Sequence, residues 1–141
     1  MIRPATLDHA FLDQLDPVWP DGLRYVRQAI DLKMTELSWA YQDEEGPVWA
    51  WGLVPCWNGV GEVWMAFDKR ASRHIFQIVR HARDKLRRVE RVYGYRRLQG
   101  QWHVDCPCAK LAKMMGFEQE GILRQAGLHG EGDYIMASRI S

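Results

Sequence analysis

At 141 residues the chain has the size of one domain, because a single core of this length can bury about two thirds of the surface that the unfolded chain exposes. Its apolar fraction of 47%, seven Trp and net charge of +1 exclude a disordered tail and give nucleic acid no claim through overall charge. No stretch approaches the roughly 18 uninterrupted apolar residues of a membrane helix, and the opening MIRPATLDHAF has no apolar signal core, so a cytoplasmic protein with no membrane partner is expected.

Residues 2–5 read as a short extended start. Thr6 or Asp8 can then cap a brief helix through Leu15, which Pro17 and Pro20 end. After Asp21, a candidate cap, Leu23, Val26, Ile30, Met34 and Leu37 recur at spacings of three and four and predict a helix with one apolar stripe. Ser38–Gln42, Pro47–Pro55 and Gly61–Phe67 read as strands rich in Trp, Val, Leu and Phe. The turns Asp43–Gly46 and Asn58–Gly59 between them imply an antiparallel meander.

From Ala71 to about Arg91 the period changes. Ile75, Val79, Ala82, Leu86 and Val89 line one helical face, with basic residues on the other. Gly94 ends that helix, Arg96–Val104 reads as a strand, and Pro107–Met115 as a short helix with Gly116 past its end. Phe117–Gln125 and Tyr134–Arg139 close the chain as a strand pair. The whole predicts an α/β (α+β) fold with a mixed, mostly antiparallel sheet of six to seven strands and helices on its faces, forming a single domain over residues 1–141.

Three cysteines, Cys56, Cys106 and Cys108, form neither a paired CxxC spacing nor a cluster with histidines, so no zinc site and no disulfide framework is expected. Cys106-Pro107-Cys108 reads as two small buried residues, reduced, at a helix start, with a redox pair as the alternative.

The order of elements, with the run from Ala109 to Gly116-Phe117-Glu-Gln-Glu120-Gly121, resembles the GCN5-related N-acetyltransferase (GNAT) superfamily, whose members often carry a short helix followed by Gly-Phe and Glu-Gly. The likeness spans nearly the whole chain, from Ile2-Arg3-Pro4-Ala5 to Tyr134–Ser138. Its compact form is similar to acetyltransferase-like proteins of phages and prophages.

The resemblance implies a device for acetyl-coenzyme A. The strand before the long helix splays from its neighbour and offers backbone groups to the pantetheine arm, while the diphosphate sits on the following helix N-terminus, where the unpaired amides and the dipole favour an anion. The implied contacts are Met65, Ala66 and Phe67 on the strand and Arg70, Ala71, Ser72, Arg73 and His74 after it. This loop departs from the family pattern, because Arg70 to Ile75 contains no glycine. Lys69, Arg70 and Arg73 can supply charge-assisted contacts in their place, the alternative being solvated cations at a helix start.

Acyl transfer needs a deprotonated amine, a polarised thioester carbonyl and a proton for the departing thiolate. A backbone amide near Met65 or Ala66 suits the carbonyl, and Glu62 is the candidate base. His103 and Asp105 are candidates for a base or substrate ligand, and Tyr134 for the acid. The Tyr that many relatives place before Gly-Phe is replaced here by Ala112, and the Asn near the start of that helix by Cys106. Plainer readings stand beside each: a solvent-facing Glu62, a surface His103 and a packing Tyr134.

Three functions compete at this point. One is an N-acetyltransferase using acetyl-CoA and an unknown amine acceptor, protein or small molecule, by direct attack in a ternary complex. Another is a catalytically silent binding or structural relative, as a virion component would be. The third is nucleic-acid binding through the basic face with Arg80, Arg83, Arg87, Arg88 and Arg91; interleaved Asp84 and Glu90 and the lack of a stacking motif argue against it. Trp57, beside Asn58-Gly59, is the Trp expected at the surface, as an acceptor contact or the subunit contact of a homodimer.

Overall fold

The computed structural model describes residues 1–20, 22–127, 130 and 132–141. β1 (Arg3–Ala5) leads to Asp8, whose carboxylate accepts from the Phe11 N–H at 2.8 Å and caps α1 (His9–Asp13). Thr6 is not the cap. α2 (Gly22–Asp31) ends at Asp31 rather than running on to Leu37. The reason is local: Lys33 takes φ 56°, in the left-handed region, and the Met34 N–H reaches back to the Ala29 carbonyl at 2.8 Å, closing the helix. Leu37 therefore opens β2 (Leu37–Asp43), paired with Leu53 of β3 (Gly46–Trp57). The proposed cap Asp21 lies outside the described residues.

β4 (Val60–Phe67) follows the Asn58–Gly59 turn. The long helix then begins not as one α-helix from Ala71 but as a 3-10 turn (Lys69–His74) continued by α3 (Ile75–Tyr93). β5 (Arg97–His103), α4 (Cys108–Met114), β6 (Glu118–Leu123) and β7 (Tyr134–Ile140) complete the order. Among the described residues the seven strands are hydrogen-bonded in the order β1-β2-β3-β4-β5-β7-β6, with β4 and β5 parallel in an otherwise mostly antiparallel sheet. No described helix is long and apolar enough to cross a membrane.

By internal packing the chain divides into two compact units, Met1–Val54 with Val63–Ile78, and Pro55–Glu62 with Val79–Ser141. In the first unit, Phe11, Leu12 and Leu15 join Val26 of α2 against Ala40, Ala50, Val54, Trp64 and Ala66 from β2, β3 and β4. Gly52 makes room for this core, because a Cβ there would enter the Trp64 indole. The facing pairs Trp39–Trp51 and Tyr41–Trp49 stack at 4.6 and 5.3 Å, and Phe67 stacks on Trp49 at 5.9 Å. Such cross-strand aromatic pairs fix register, because a slip of one residue would turn every ring to the opposite face.

The second unit buries Val79, Ala82, Leu86 and Val89 along α3, as the helical stripe predicts. β5 pairs with β7 along its full length, from Arg97↔Ile140 to His103↔Tyr134. Arg139 of β7 donates to the Glu90 carboxylate of α3 at 3.0 Å and to the Met115 carbonyl at the end of α4 at 2.6 Å, so one guanidinium ties three elements together. The register of β6 on β7 shifts between Gln119 and Gly121. That irregularity falls on Glu120, the residue that meets Arg97 of β5.

Cys106 and Cys108 are not reduced thiols but partners in a disulfide, with Cα atoms 5.3 Å apart. Pro107, at φ −67° and ψ −9°, turns the backbone so that the side chains on either side of it converge within the usual Cα span of a disulfide.

Candidate functional site

In the second unit β4 pairs in parallel with β5 through Val60↔Arg97, Gly61↔Leu98 and Glu62↔Gln99. In the first unit β4 continues through Val63–Phe67, with Met65 and Phe67 half-buried and Val63, Trp64 and Ala66 buried. Its far end is closed by the chain itself, since the Phe67 carbonyl accepts from the Val18 N–H at 2.9 Å.

The turn after β4 is satisfied from within. Asp68, only 3% exposed, accepts from the Asp16 N–H at 2.7 Å and the Arg70 N–H at 2.9 Å. Its own carbonyl accepts from the Ala71 N–H, and the Lys69 N–H goes to the Asp16 carbonyl at 2.8 Å. Consecutive amides that could have formed an anion nest are thus already engaged by an aspartate and two carbonyls.

Arg70, placed by the sequence at the cofactor phosphates, turns the other way. Its guanidinium donates to both carboxylate oxygens of Asp43, at 2.7 and 2.8 Å, and to the Pro47 carbonyl at 2.7 Å. His74 adds a contact to Asp43 Oδ2 at 3.0 Å. Burial alone would raise the pKa of Asp43; the hydrogen bonds from Arg70, His74 and the Glu45 N–H, with the charge of Arg70, outweigh it and hold the carboxyl well below the usual carboxylate range. Arg73 and Lys69 are the exposed cations of the turn. Arg73 lies 3.4 Å from Glu45, Lys69 3.5 Å from Asp16, and Ser72 is exposed beside them.

In the second unit, Glu62 is half-buried and accepts from Gln99 Nε2 at 3.5 Å. Burial first, and the charge of Glu62 second, raise the pKa of the nearby Cys56 thiol. His103 is buried at 7% exposure, which corrects the reading of it as a surface residue. The Asp105 N–H donates to its Nδ1 at 3.1 Å, and the Asp105 carboxylate lies 3.7 Å from the same nitrogen. Tyr134 meets the His103 ring edge-on at 5.5 Å. Ala112 and Cys106 are both buried. Among the described residues no group of three or more His, Cys, Asp or Glu is placed to hold a metal ion.

Comparison with known proteins is decided by shape. An acetyltransferase of the GNAT family from Bacillus anthracis superposes with a TM-score of 0.70 at 11% identity, over 99% of this chain and 94% of that one. A Bacillus subtilis acetyltransferase solved in complex with CoA gives 0.72 at 12% identity, covering 99% and 97% of the two chains. The fold is that of the GCN5-related N-acetyltransferases. The ribosomal-protein-S18-alanine N-acetyltransferase of Escherichia coli also shares this GNAT architecture, with a TM-score of 0.69 at 15% identity over 99% of this chain and 94% of that one. No protein-family model and no curated protein sequence matches the chain.

Asp43 and Asp68 are the residues that sequence reasoning missed. Each stands where an aspartate is an ordinary turn former or cap, and only the distant Arg70 and Asp16 give them a further role.

Proposed function

We propose that this chain is an N-acyltransferase that takes acetyl-CoA as donor and an amine as acceptor. The observation that carries the reading is the fold: an acetyltransferase solved in complex with CoA superposes over 99% of this chain with a TM-score of 0.72. By that likeness, backbone groups along Val63–Phe67 of β4 take the amide-bearing pantetheine arm, which pairs as an added strand would. When bound, acetyl-CoA supplies an activated acetyl group on sulfur. On the chain's side, an amide near Met65 or Ala66 polarises the acyl carbonyl, Glu62 accepts the amine's proton and Tyr134 protonates the leaving sulfur.

The turn after β4 fits the diphosphate poorly. Without a glycine, and with the Arg70 guanidinium held by Asp43, the turn can meet diphosphate charge through Arg73 and Lys69 and the backbone from Ser72 to His74. The self-satisfied turn favours the second reading, a catalytically silent GNAT-fold binding or structural protein, because an anion approaching Asp68 meets a buried carboxylate.

Isothermal titration with acetyl-CoA, and separately with CoA, divides the two readings. Micromolar binding, weakened about tenfold or more in a Lys69→Glu, Arg73→Glu variant, is the outcome expected of the transferase. Absence of heat at high ligand concentration, together with an unchanged melting temperature, would sink it and leave the silent reading. Arg70 is left intact, since its loss would unfold the turn rather than test it.

A further inference from the structure

We infer that Cys106 and Cys108 form a thiol–disulfide exchange site, at which a low-molecular-weight thiol attacks Cys108 and releases Cys106. The bond encloses a single residue, Pro107. A disulfide stabilises a fold chiefly by closing a long loop in the unfolded chain, and a loop this short gains the least from closure, so the bond has little value as a staple. It belongs to no framework either, because the chain has three cysteines and the third, Cys56, carries no disulfide.

The surroundings are those of a bond made to open. Cys106 is buried at 7% exposure, whereas Cys108 is half-buried, so an incoming thiol has its approach at Cys108. The Cys108 N–H donates to Cys106 Sγ at 3.4 Å. In the opened form that donor faces the Cys106 sulfur and stabilises it as a thiolate, and a stabilised thiolate leaves faster. Pro107 keeps the two Cα atoms within disulfide range in either state, so re-closure needs no search.

The step balances. The thiolate of the small molecule attacks Cys108 Sγ, the Cys106–Cys108 bond breaks, and the electron pair departs on Cys106 Sγ, which takes a proton from water. A second thiol then attacks the mixed disulfide, leaving two cysteine thiols and the oxidised small-molecule disulfide. The site abuts a group already described, since the Cys106 N–H donates to the His103 carbonyl at 2.9 Å. Opening it therefore loosens the turn that holds the His103 and Asp105 backbone.

The test uses the full chain in glutathione buffers of graded ratio, quenched by alkylation and read by thiol counting and tandem mass spectrometry. On reduction without denaturant, thiols per chain rise from one to three, as the chain's three cysteines and single bond require. The trapped intermediate carries glutathione on Cys108 and the alkyl group on Cys106. A bond that resists glutathione until the chain is denatured would overturn the inference, as would thiols that never close under oxidised glutathione. Glutathione found on Cys106 would overturn the assignment of the attacked sulfur. A Cys56→Ser chain repeats the measurement without the third thiol and must give the same order.

Discussion

Arg70 and Arg97 each grip a carboxylate through two hydrogen bonds, yet the two pairs occupy opposite regimes. Arg70 reaches Asp43, whose side chain is 6% exposed, in the first unit. Arg97 reaches Glu120, 40% exposed, in the second, with the Ser138 hydroxyl donating to the same carboxylate at 2.5 Å. Hydrogen bonding wins in both: Asp43 is lowered in spite of its burial, and Glu120 is lowered to about 2, first by Arg97 and then by Ser138. The difference lies in what breaking each pair leaves behind. Breaking the first leaves the Arg70 guanidinium beside Pro47 with the buried Asp68 carboxylate at 3.2 Å as its nearest anion, whereas the second pair opens onto water through Glu120.

The largest expected effect is therefore Asp43→Ala, which removes the carboxylate that Arg70 and His74 share, leaves Arg70 to Asp68 and the Pro47 carbonyl, and should destabilise the fold by about 1–3 kcal/mol, read from urea unfolding at neutral pH. A loss below about 1 kcal/mol would place this pair in the surface class. Next comes acid. Both carboxyls have lowered folded values, so the stability they contribute is complete above their unfolded pKa values of 3.8 and 4.5 and is lost as pH falls toward about 2, where Glu120 protonates. Asp43→Asn should flatten that fall in the urea midpoint. Equal slopes in variant and wild type would show that Asp43 is not the group being protonated. The smallest effect belongs to Glu120→Gln, whose midpoint at pH 7 should shift by a small fraction of that seen for Asp43→Ala. A comparable shift would erase the contrast between the regimes.

The fold was legible where periodicity is long. The α3 stripe and the three meander strands lie where Val79, Ala82, Leu86 and the Trp-rich runs put them. Failures came from single residues acting against propensity. Lys33 adopts a left-handed conformation that glycine would signal, and so cuts α2 short of Leu37. The site was legible only in part, because burial and partners far along the chain decide what a charged residue does. Arg70 has the residue type that the resemblance sets at a diphosphate, and only the fold shows its guanidinium engaged by Asp43, 27 residues away in sequence, and by Asp68. His103 likewise reads as a surface residue at a strand end, whereas its side chain is buried and holds the Asp105 N–H.

The aromatic ladder of the first unit gives this protein an optical signature of its own. Trp49 and Trp51 are fully buried, their rings lie 6.5 Å apart and within 7° of parallel, and their indole N–H groups meet no acceptor among the described residues. Indoles shielded from water emit at the blue end of the Trp range and are out of reach of a dissolved quencher. Trp57, at 65% exposure, emits to the red and is open to one. One sample therefore carries two independent reporters: a shielded blue emission that reddens when the first unit loosens, and a solvent-quenchable emission from the surface of the second.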